Sequence, residues 1–379
     1  MIELRNVGSF LFTSRQNALY MSIILLIIPL LMKPLYAQNQ VIFFDFQARP
    51  PFSGSISSPY KDFDDFITEN QTFPINISLF QLKFTNSQYN CSNKADFSLN
   101  LTNWSFSPYN LSSNGLIELN MRENCDFHVS NNKSLVLFTS FRLIMQSFSF
   151  FSLENNASLI LRNCEVWLNY NTSGNNISIF TLRNSAELVL LSTSVIGLIE
   201  SPLVFEIGAF SKLWLINVIV SGNFAQGLFL NEEDGCFLWF LNCFFNDLNI
   251  TMNNGSFMEI SANSMLLMKN CVFSNNFLIF DEYSRFFYSD NSAVIMIISI
   301  IIRNTTFSSI VESNIAIFDF SACSYLVLNQ INAISIQSIR KSPFFSIKNM
   351  ENTTLISLSL MNSSLNLVFS LINITYFLL

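Results

Sequence analysis

Charge, glycine, proline and histidine are all scarce in this 379-residue chain. Charged residues make up 12% of it, and it contains 10 Gly, 9 Pro and one His. A soluble domain usually has about twice that share of charge. The histidine, His128, stands two residues after Asp126, and one imidazole does not make a zinc site or a histidine cluster. The chain also lacks the GxSxG, HExxH, Walker A and GxGxxG motifs. We therefore predict no catalytic residue, no metal site and no cofactor.

Cysteine is present but sparse. The chain has seven Cys, and none of them forms a CxxC motif: Cys91, Cys125, Cys164, Cys236, Cys243, Cys271 and Cys323. This excludes the usual zinc ribbons and thioredoxin-like redox motifs, and the density is far below that of a disulfide framework. We expect most of these thiols to be small buried apolar groups, with room for one or two bridges.

Phenylalanine, asparagine and serine dominate instead. Hydrophobic residues make up 50% of the chain, with 41 Phe, 46 Asn and 52 Ser. Phe suits pleated, half-buried strands, and Asn and Ser suit turns. AT-rich codons would also enrich Phe, Asn and Ile, but they would not order these residues along the chain. The formal charge of −7 and the absence of a basic run argue against a nucleic-acid partner.

The N-terminus carries one hydrophobic segment. Residues 18–32 read ALYMSIILLIIPLLM after Arg5 and Arg15, and Ala37 follows as a small residue. This pattern predicts a signal peptide over residues 1–37, with an uncleaved signal anchor as the alternative and a buried helix as a weaker one. The strongest later run, Ala293–Ile302, is too short for a spanning helix and suits a buried strand.

Potential N-glycosylation sites are unusually frequent. The Asn-x-Ser/Thr triplets number about twice the chance expectation, and they begin at Asn70, Asn76, Asn90, Asn100, Asn103, Asn110, Asn132, Asn156, Asn171, Asn176, Asn249, Asn254, Asn304, Asn352, Asn362 and Asn373. Together with the N-terminal segment, they predict a glycoprotein of the secretory pathway, located outside the cell or on its surface.

A repeat of about 27 residues runs through most of the chain. Each unit is a short apolar strand, a polar stretch of a few residues and a second apolar strand, often followed by Asn. The units begin at Phe127, Phe151, Phe180, Phe205, Phe229, Phe257, Phe287, Ile317 and Phe345. One such unit cannot bury its apolar face alone, whereas stacked units share a continuous core.

The repeat predicts an all-β, right-handed parallel β-helix of about nine coils. We expect the repeats over residues 115–379 and a sequon-rich cap or irregular β region over residues 38–114. Stacked Phe would fill the interior, and the recurrent Asn would occupy tight turns with positive φ. An antiparallel β-sandwich is the competing fold, but it does not require a persistent 27-residue phase.

The phase of the repeat places particular residues on neighbouring coils. Cys243 and Cys271 each lie 14 residues beyond an anchor Phe, so they should stack, either as a candidate disulfide or, slightly preferred, as adjacent thiols. Glu154 and Arg183 each lie three residues beyond an anchor Phe, so they could form an ion pair on the surface between neighbouring coils. Asn132 and Asn156 each lie five residues beyond an anchor Phe, so glycans on them would emerge from the same turn of neighbouring coils.

The repeated text, Phe-x-hydrophobic, then Leu-Leu-Leu, then Asn-Cys, resembles the right-handed parallel β-helix proteins of the pectin-lyase-like superfamily over about residues 115–375. That superfamily includes polysaccharide lyases and hydrolases, but also adhesins and surface proteins. Similar repeats occur in protist surface proteins and in chlamydial polymorphic membrane proteins. The Phe-x-x-Asn motif of the latter is matched at Phe273–Asn276, and their Gly-Gly-Ala motif is absent.

Two functional classes remain open. The first is a noncatalytic surface protein that is structural, adhesive, or binds glycans or surface proteins. The second is a polysaccharide lyase or glycoside hydrolase on a β-helix. The acidic runs Glu232–Asp234 and Asp62, Asp64 and Asp65 are interpreted as solvated loops. We favour the noncatalytic class. The apolar C-terminal text SLINITYFLL also suggests an end-to-end stacking partner.

Overall fold

The computed structural model describes the chain from residue 38 onward, with gaps. The described residues are 38–45, 55, 59–61, 66, 77–85, 88–91, 95–96, 103–109, 115–122, 125–130, 134–146, 150–169, 178–201, 203–224, 228–231, 233–252, 256–281, 283–289, 292–309, 316–338, 343–350, 353–361, 363 and 367–374. The predicted signal over residues 1–37 lies outside them. Within these ranges, no helix has the length and apolar character that a membrane span needs.

Apart from Phe66, which is helical, every regular element of the described residues is a β-strand. In chain order the first seventeen are β1 Gln38–Phe44, β2 Ile77–Phe84, β3 Gln88–Cys91, β4 Ala95–Asp96, β5 Asn103–Pro108, β6 Ile117–Met121, β7 Phe127–Val129, β8 Leu135–Thr139, β9 Phe141–Gln146, β10 Phe151–Glu154, β11 Ser158–Arg162, β12 Glu165–Asn169, β13 Phe180–Arg183, β14 Glu187–Leu191, β15 Ser194–Ser201, β16 Phe205–Ile207 and β17 Lys212–Ile216. The remainder are β18 Ile219–Phe224, β19 Phe229–Asn231, β20 Phe237–Leu241, β21 Phe244–Met252, β22 Ser256–Ile260, β23 Met265–Lys269, β24 Val272–Ser274, β25 Phe277–Phe280, β26 Arg285–Ser289, β27 Val294–Arg303, β28 Thr306–Ser309, β29 Phe318–Ser321, β30 Tyr325–Ile334, β31 Gln337–Ser338, β32 Pro343–Met350, β33 Thr353–Met361 and β34 Leu367–Ile374.

The strands form a parallel β-helix with three faces. The first face is an 11-stranded sheet that runs from β4 through β7, β10 and β13 to β34. The second face contains β5, β8, β11, β14, β17, β20 and β23, and the third contains β6, β9, β12, β15, β18 and β21. The long strands β27 and β30 pass from the second face to the third without a break, so these two faces form one continuous 23-stranded sheet.

The coil count differs slightly from the expected nine. Nine strands of the first face begin within two residues of the predicted anchors, and β4 and β34 add one strand at each end. Strands N-terminal of residue 115 already belong to the helix, because β5 pairs in register with β8 and β3 pairs with β6.

Stacked phenylalanines fill the core, as the sequence predicted. The ring centroids of Phe127 and Phe151 lie 5.1 Å apart, and Phe151, Phe180, Phe205 and Phe229 continue the stack at 5.3, 5.4 and 5.1 Å. Inward residues alternate with outward ones along most strands, as in the burial pattern of β8. Since parallel strands lie about 4.8 Å apart, an in-register stack brings identical rings into contact.

Two predicted anchors are displaced by one residue. Met258, not Phe257, pairs with Phe229, and Phe318, not Ile317, pairs with Phe287. Both neighbours at each place are buried, so the hydrophobic pattern alone did not fix the register there. Phe257 still contacts Phe229, edge-on at 5.9 Å.

Asparagines line the turn between the second and third faces. Asn163, Asn217, Asn242 and Asn270 have φ between 50° and 54°, the left-handed region that Asn tolerates. The Asn242 amide donates to Asn217 Oδ1, and the Asn270 amide donates to Asn242 Oδ1, both at 3.2 Å. This amide ladder confirms the predicted turn role of the recurrent Asn.

Candidate functional site

Acidic and basic side chains on the outer surface are paired between neighbouring coils. The first group lies on the third face, on strands β6, β9 and β12, which present Glu118, Arg142 and Glu165 in one column. Arg142 Nε donates to Glu165 Oε2 at 2.8 Å, and Arg142 Nη1 lies 3.8 Å from Glu118 Oε2. We call Glu118, Arg142, Glu165 and Trp167 the arginine–tryptophan cluster.

Two contacts orient the Trp167 ring within this cluster. Its Nε1 donates to Glu165 Oε2 at 3.1 Å, and the Arg142 guanidinium lies 4.5 Å from the ring centroid. Arginine over an indole face is a favourable cation–π arrangement. The side chains of Arg142, Glu118 and Glu165 keep 32%, 21% and 30% of their surface exposed, so the cluster faces solvent rather than the core.

Amide groups extend the cluster along the third face. Gln88 Nε2 and Asn120 Nδ2 both donate to Glu118 Oε1, at 3.1 and 3.3 Å. Further outward amides on the same strands are Asn90, Gln146 and Asn169. The result is a polar face with hydrogen-bonding groups on four successive coils, contributed by β3, β6, β9 and β12.

A second charged group lies on the first face. Asp319 on β29 has a side chain that is only 9% exposed, with Arg285 Nε at 3.2 Å from Oδ2 and Lys348 Nζ at 3.7 Å from Oδ1. Arg285 also lies over the Tyr288 ring at 4.3 Å. Oδ1 is buried and accepts no hydrogen bond in the described part of the chain.

The predicted surface pair of Glu154 and Arg183 is only half right. The two residues are register partners on β10 and β13, but Arg183 Nη2 forms its ion pair with Glu206 Oε1 at 3.4 Å. Glu206 also accepts a hydrogen bond from Ser178 at 2.6 Å, which fixes its carboxylate near Arg183. Sequence phase predicted the stacking but not the choice of partner.

The cysteines are arranged differently from the candidate disulfide. Cys243 and Cys271 are stacked in consecutive turns, but both are buried free thiols, the alternative that the sequence slightly favoured. The disulfide joins Cys91, at the end of β3, to Cys125, just before β7. Cys91 lies outside the predicted repeats and Cys125 precedes the first anchor, Phe127, so no sequence signal pointed to this pair. Burial raises the pKa of the Cys271 thiol, and the neighbouring Cys243 raises it further.

The other sequence-predicted positions are structural or superficial. His128 points outward from β7, between Asp96 and Ser152 in register. Asp234 and Glu233 bond to the adjacent turns through Asn263 and the Ala209 amide. Asp62, Asp64, Asp65 and Glu232 lie outside the described residues. In the parts of the chain that the structure describes, no three His, Cys, Asp or Glu side chains are close enough to hold a metal ion.

The Phe-x-x-Asn match has a structural role. Asn276 is buried, its amide donates to the Phe245 carbonyl at 3.1 Å, and its Oδ1 accepts from the Leu248 amide at 3.0 Å. The side chain therefore satisfies backbone groups of the preceding coil at a bend of the third face.

Five of the sequons fall on described side chains. Asn90, Asn156, Asn249 and Asn304 are exposed, and Asn103 is half-buried. Asn304 donates its amide to Asn275 Oδ1 at 3.2 Å. The side chains of the others lie outside the described residues: Asn70, Asn76, Asn100, Asn110, Asn132, Asn171, Asn176, Asn254, Asn352, Asn362 and Asn373. Glycosylation stays a prediction.

Comparison with known proteins yields structural alignments at low identity and low TM-score. No known family profile and no curated protein matches the chain. Among solved structures, the catalytic domain of a GH87 alpha-1,3-glucanase in complex with nigerose aligns at 8% identity and TM-score 0.37, over 91% of this chain and 69% of that one. A rhamnogalacturonan lyase aligns at 9% identity and TM-score 0.29, over 86% and 87%. At these values the parallel β-helix assignment rests on the strand pairing itself.

Proposed function

We propose that this chain is a noncatalytic, secreted or cell-surface β-helix protein that binds glycan through the polar part of its third face. The observation that carries the proposal is the arginine–tryptophan cluster, in which a fixed indole ring lies among carboxylate, guanidinium and amide groups. Ligand sites combine aromatic surface with a few well-placed polar groups. Sugars match that combination, since they present apolar C–H faces and rings of hydroxyl groups.

The repeat of the polar face suits an extended ligand. Its hydrogen-bonding groups recur with each coil, about every 4.8 Å, which is close to the length of one sugar residue. The carboxylates of Glu118 and Glu165 can accept from hydroxyls, and the amides of Gln88, Asn120 and Asn169 can donate to them. The secreted location rests on the N-terminal hydrophobic segment and on the excess of sequons.

Substitution of Trp167 tests the glycan-binding proposal. The full chain, expressed through a secretory pathway, is screened on an array of neutral and acidic glycans, and Trp167→Ala should weaken the best ligand at least about tenfold. Tyr283→Ala is the matched control, because Tyr283 is an aromatic residue with 59% of its surface exposed, and it lies outside both the polar part of the third face and the strands of the second face. Because Asn90 lies on the polar face, the screen is repeated with Asn90→Gln to separate the effect of an attached glycan.

The polysaccharide-cleaving alternative is favoured by one observation, the buried Asp319 carboxylate between Arg285 and Lys348. A carboxylate beside two basic groups is the kind of set that proton transfer on a polysaccharide requires. If the chain releases oligosaccharides from a polymer and Asp319→Asn abolishes the release while the melting temperature is kept, the noncatalytic proposal is overturned. Equal glycan affinity for Trp167→Ala and Tyr283→Ala would remove the third face as the site.

A further inference from the structure

The outer side of the second face is apolar along its middle. The central residues on the side away from the core form one in-register column across eight successive strands, β8 to β30: Leu137, Ile160, Val189, Trp214, Trp239, Leu267, Met296 and Val327. Leu267 is buried within this column, and the other seven are partly exposed. The inward residues of the same strands are also apolar, such as Leu188 and Leu190 on β14. We call the outward column and its two flanking columns the apolar face.

Parallel sheets with apolar residues on both sides usually have both sides covered by other protein elements. The flanking columns continue the pattern, with Phe237 47% exposed and Leu191, Ile216, Leu241 and Ile298 beside the column. Charge is limited to Arg162, Glu187, Lys212 and Lys269 at the margins. Contiguous apolar surface of this extent marks an interaction site.

Glycosylation sequons avoid this face. None of the sixteen begins within the strands β8, β11, β14, β17, β20, β23, β27 and β30 up to Asn329, although they are common elsewhere in the sequence. A face without attachment points for glycans is accessible to a protein surface. With eight strands about 4.8 Å apart and about 17 Å of strand length, it offers roughly 600 Å² in projection, close to the roughly 800 Å² per partner of a standard interface.

We propose that the apolar face is the dimer interface of this protein, with a second copy of the chain as its occupant. The charges at its margin favour a twofold, antiparallel pairing. Glu187 and Lys212 are register neighbours on β14 and β17. A twofold axis that runs parallel to the strands, between β14 and β17, sets Glu187 of each copy opposite Lys212 of the other and makes the two β-helix axes antiparallel. The same axis sets Trp214 opposite Val189 and Trp239 opposite Ile160, so large side chains face smaller ones.

Such an isologous contact is self-complementary, as a twofold interface must be. It brings no like charges together, because Arg162 faces Leu241 and Lys269 faces Thr139 in that arrangement. Two sheets packed face to face at about 10 Å would bury the column as a second core. The interface is separate from the polar part of the third face, so the proposal stands independently of glycan binding.

The test is the oligomeric state of the secreted full chain, measured by sedimentation velocity over a wide concentration range. We expect a dimer, and Ile160→Glu and Val189→Glu should each weaken association at least about tenfold. Ile219→Glu is the matched control, because Ile219 is 44% exposed on the third face, and it should leave the dimer intact. Circular dichroism identifies any variant that fails to fold.

A photo-crosslinking amino acid at Val189 gives a second readout that does not depend on a destabilising charge. Crosslinks between copies that map to β17 support the antiparallel pairing. A chain that stays monomeric at every concentration overturns the proposal. So do crosslinks from Val189 to residues 18–32 of the same chain, which would make that segment the occupant, or binding of the face to phospholipid vesicles without dimerisation.

Discussion

At the scale of single residues, the interior tolerates small polarizable groups at one position of each coil. Cys164, Thr193, Val218, Cys243 and Cys271 follow the turn between the second and third faces, and each carbonyl accepts a backbone amide from the next coil. Burial raises the pKa of the Cys164 thiol to about 11, against an ordinary value of 9.0. The same stack position accepts a thiol, a hydroxyl or an isopropyl group because its requirement is volume rather than chemistry.

The raised pKa of Cys164 predicts a pH-dependent loss of stability. In the unfolded chain the thiol ionises near its ordinary pKa of 9.0, whereas the folded thiol keeps its proton until about pH 11. Between these values the unfolded state alone releases a proton, so the free energy of unfolding falls as pH rises, by up to about 2–3 kcal/mol. Cys164→Val, which copies Val218, removes this contribution and should flatten the profile measured by urea denaturation.

Parallel pH profiles for the wild type and Cys164→Val would contradict a buried, proton-retaining thiol. Rapid alkylation of Cys164 in the native state near pH 9 would contradict it as well, because the thiolate is the reactive form. The comparison isolates this one thiol, since tyrosine and lysine titration in the same range is common to both proteins.

At the scale of elements, the turn ladder sets the bend between two faces. Asn242 combines a φ of 54° with amide hydrogen bonds to Asn217 below and Asn270 above. The tolerance of Asn for the left-handed region and its side-chain hydrogen bonds therefore favour the same conformation. The sequence predicted this turn from the recurrence of Asn alone, because few other residues adopt a left-handed conformation.

Two substitutions separate the backbone and amide contributions at Asn242. Asn242→Gly keeps the backbone freedom and loses the ladder bonds, so it should cost about 1–2 kcal/mol. Asn242→Ala loses the bonds and also places a side chain without amide compensation in the left-handed region, so it should cost about 1 kcal/mol more. Ser192→Gly, at the equivalent turn position of another coil and without an amide side chain, should stay within about 0.5 kcal/mol of wild type. Equal costs for the Gly and Ala variants would remove the backbone contribution.

Strand register is where sequence reasoning succeeded and then reached its limit. Anchors such as Phe151 and Phe180 were predictable because one large residue per coil marked the inward position. At Phe257 and Met258 two adjacent residues are buried, and a period of 24 to 30 residues leaves a one-residue ambiguity there. Turn length varies between coils, and hydrophobicity cannot resolve which of two apolar neighbours takes the stack.

The candidate site was missed in the sequence because only strand alignment brings its residues together. Glu118, Arg142 and Glu165 are ordinary surface charges in the sequence, and they become a cluster only when β6, β9 and β12 align. The available signal was the separation of 23 residues between Arg142 and Glu165, which is close to one coil. Opposite charges that recur at the coil period could have been sought once the repeat was established.

At the scale of the whole molecule, stability is distributed along a stack of coils. Each coil contacts its neighbours above and below, so the free energy of the solenoid is close to a sum of coil and interface contributions. A small apolar void of about 10 Å³ between Met268, Phe287, Ile297 and Phe318 shows that packing is not uniform along the stack. Because each coil is coupled mainly to its neighbours, a substitution in one coil should mainly change the stability of that coil and the adjacent ones.

The disulfide between Cys91 and Cys125 is the strongest test of this distributed stability. It closes a sequence separation of 34 residues near the N-terminal coils, and a loop of that length contributes about 4 kcal/mol by loss of chain entropy in the unfolded state. In the double variant Cys91→Ala/Cys125→Ala, we expect hydrogen exchange to accelerate at β3, β6 and β7 while the amides of β20 and β23 keep their protection. Because coils couple mainly to their neighbours, opening of the first coils need not propagate through the stack.

Cys243→Val serves as the control, because it removes a buried thiol without removing a bridge. A uniform loss of protection from β3 to β23 would instead show that the stack unfolds as one cooperative unit, in which the bridge stabilises every coil equally.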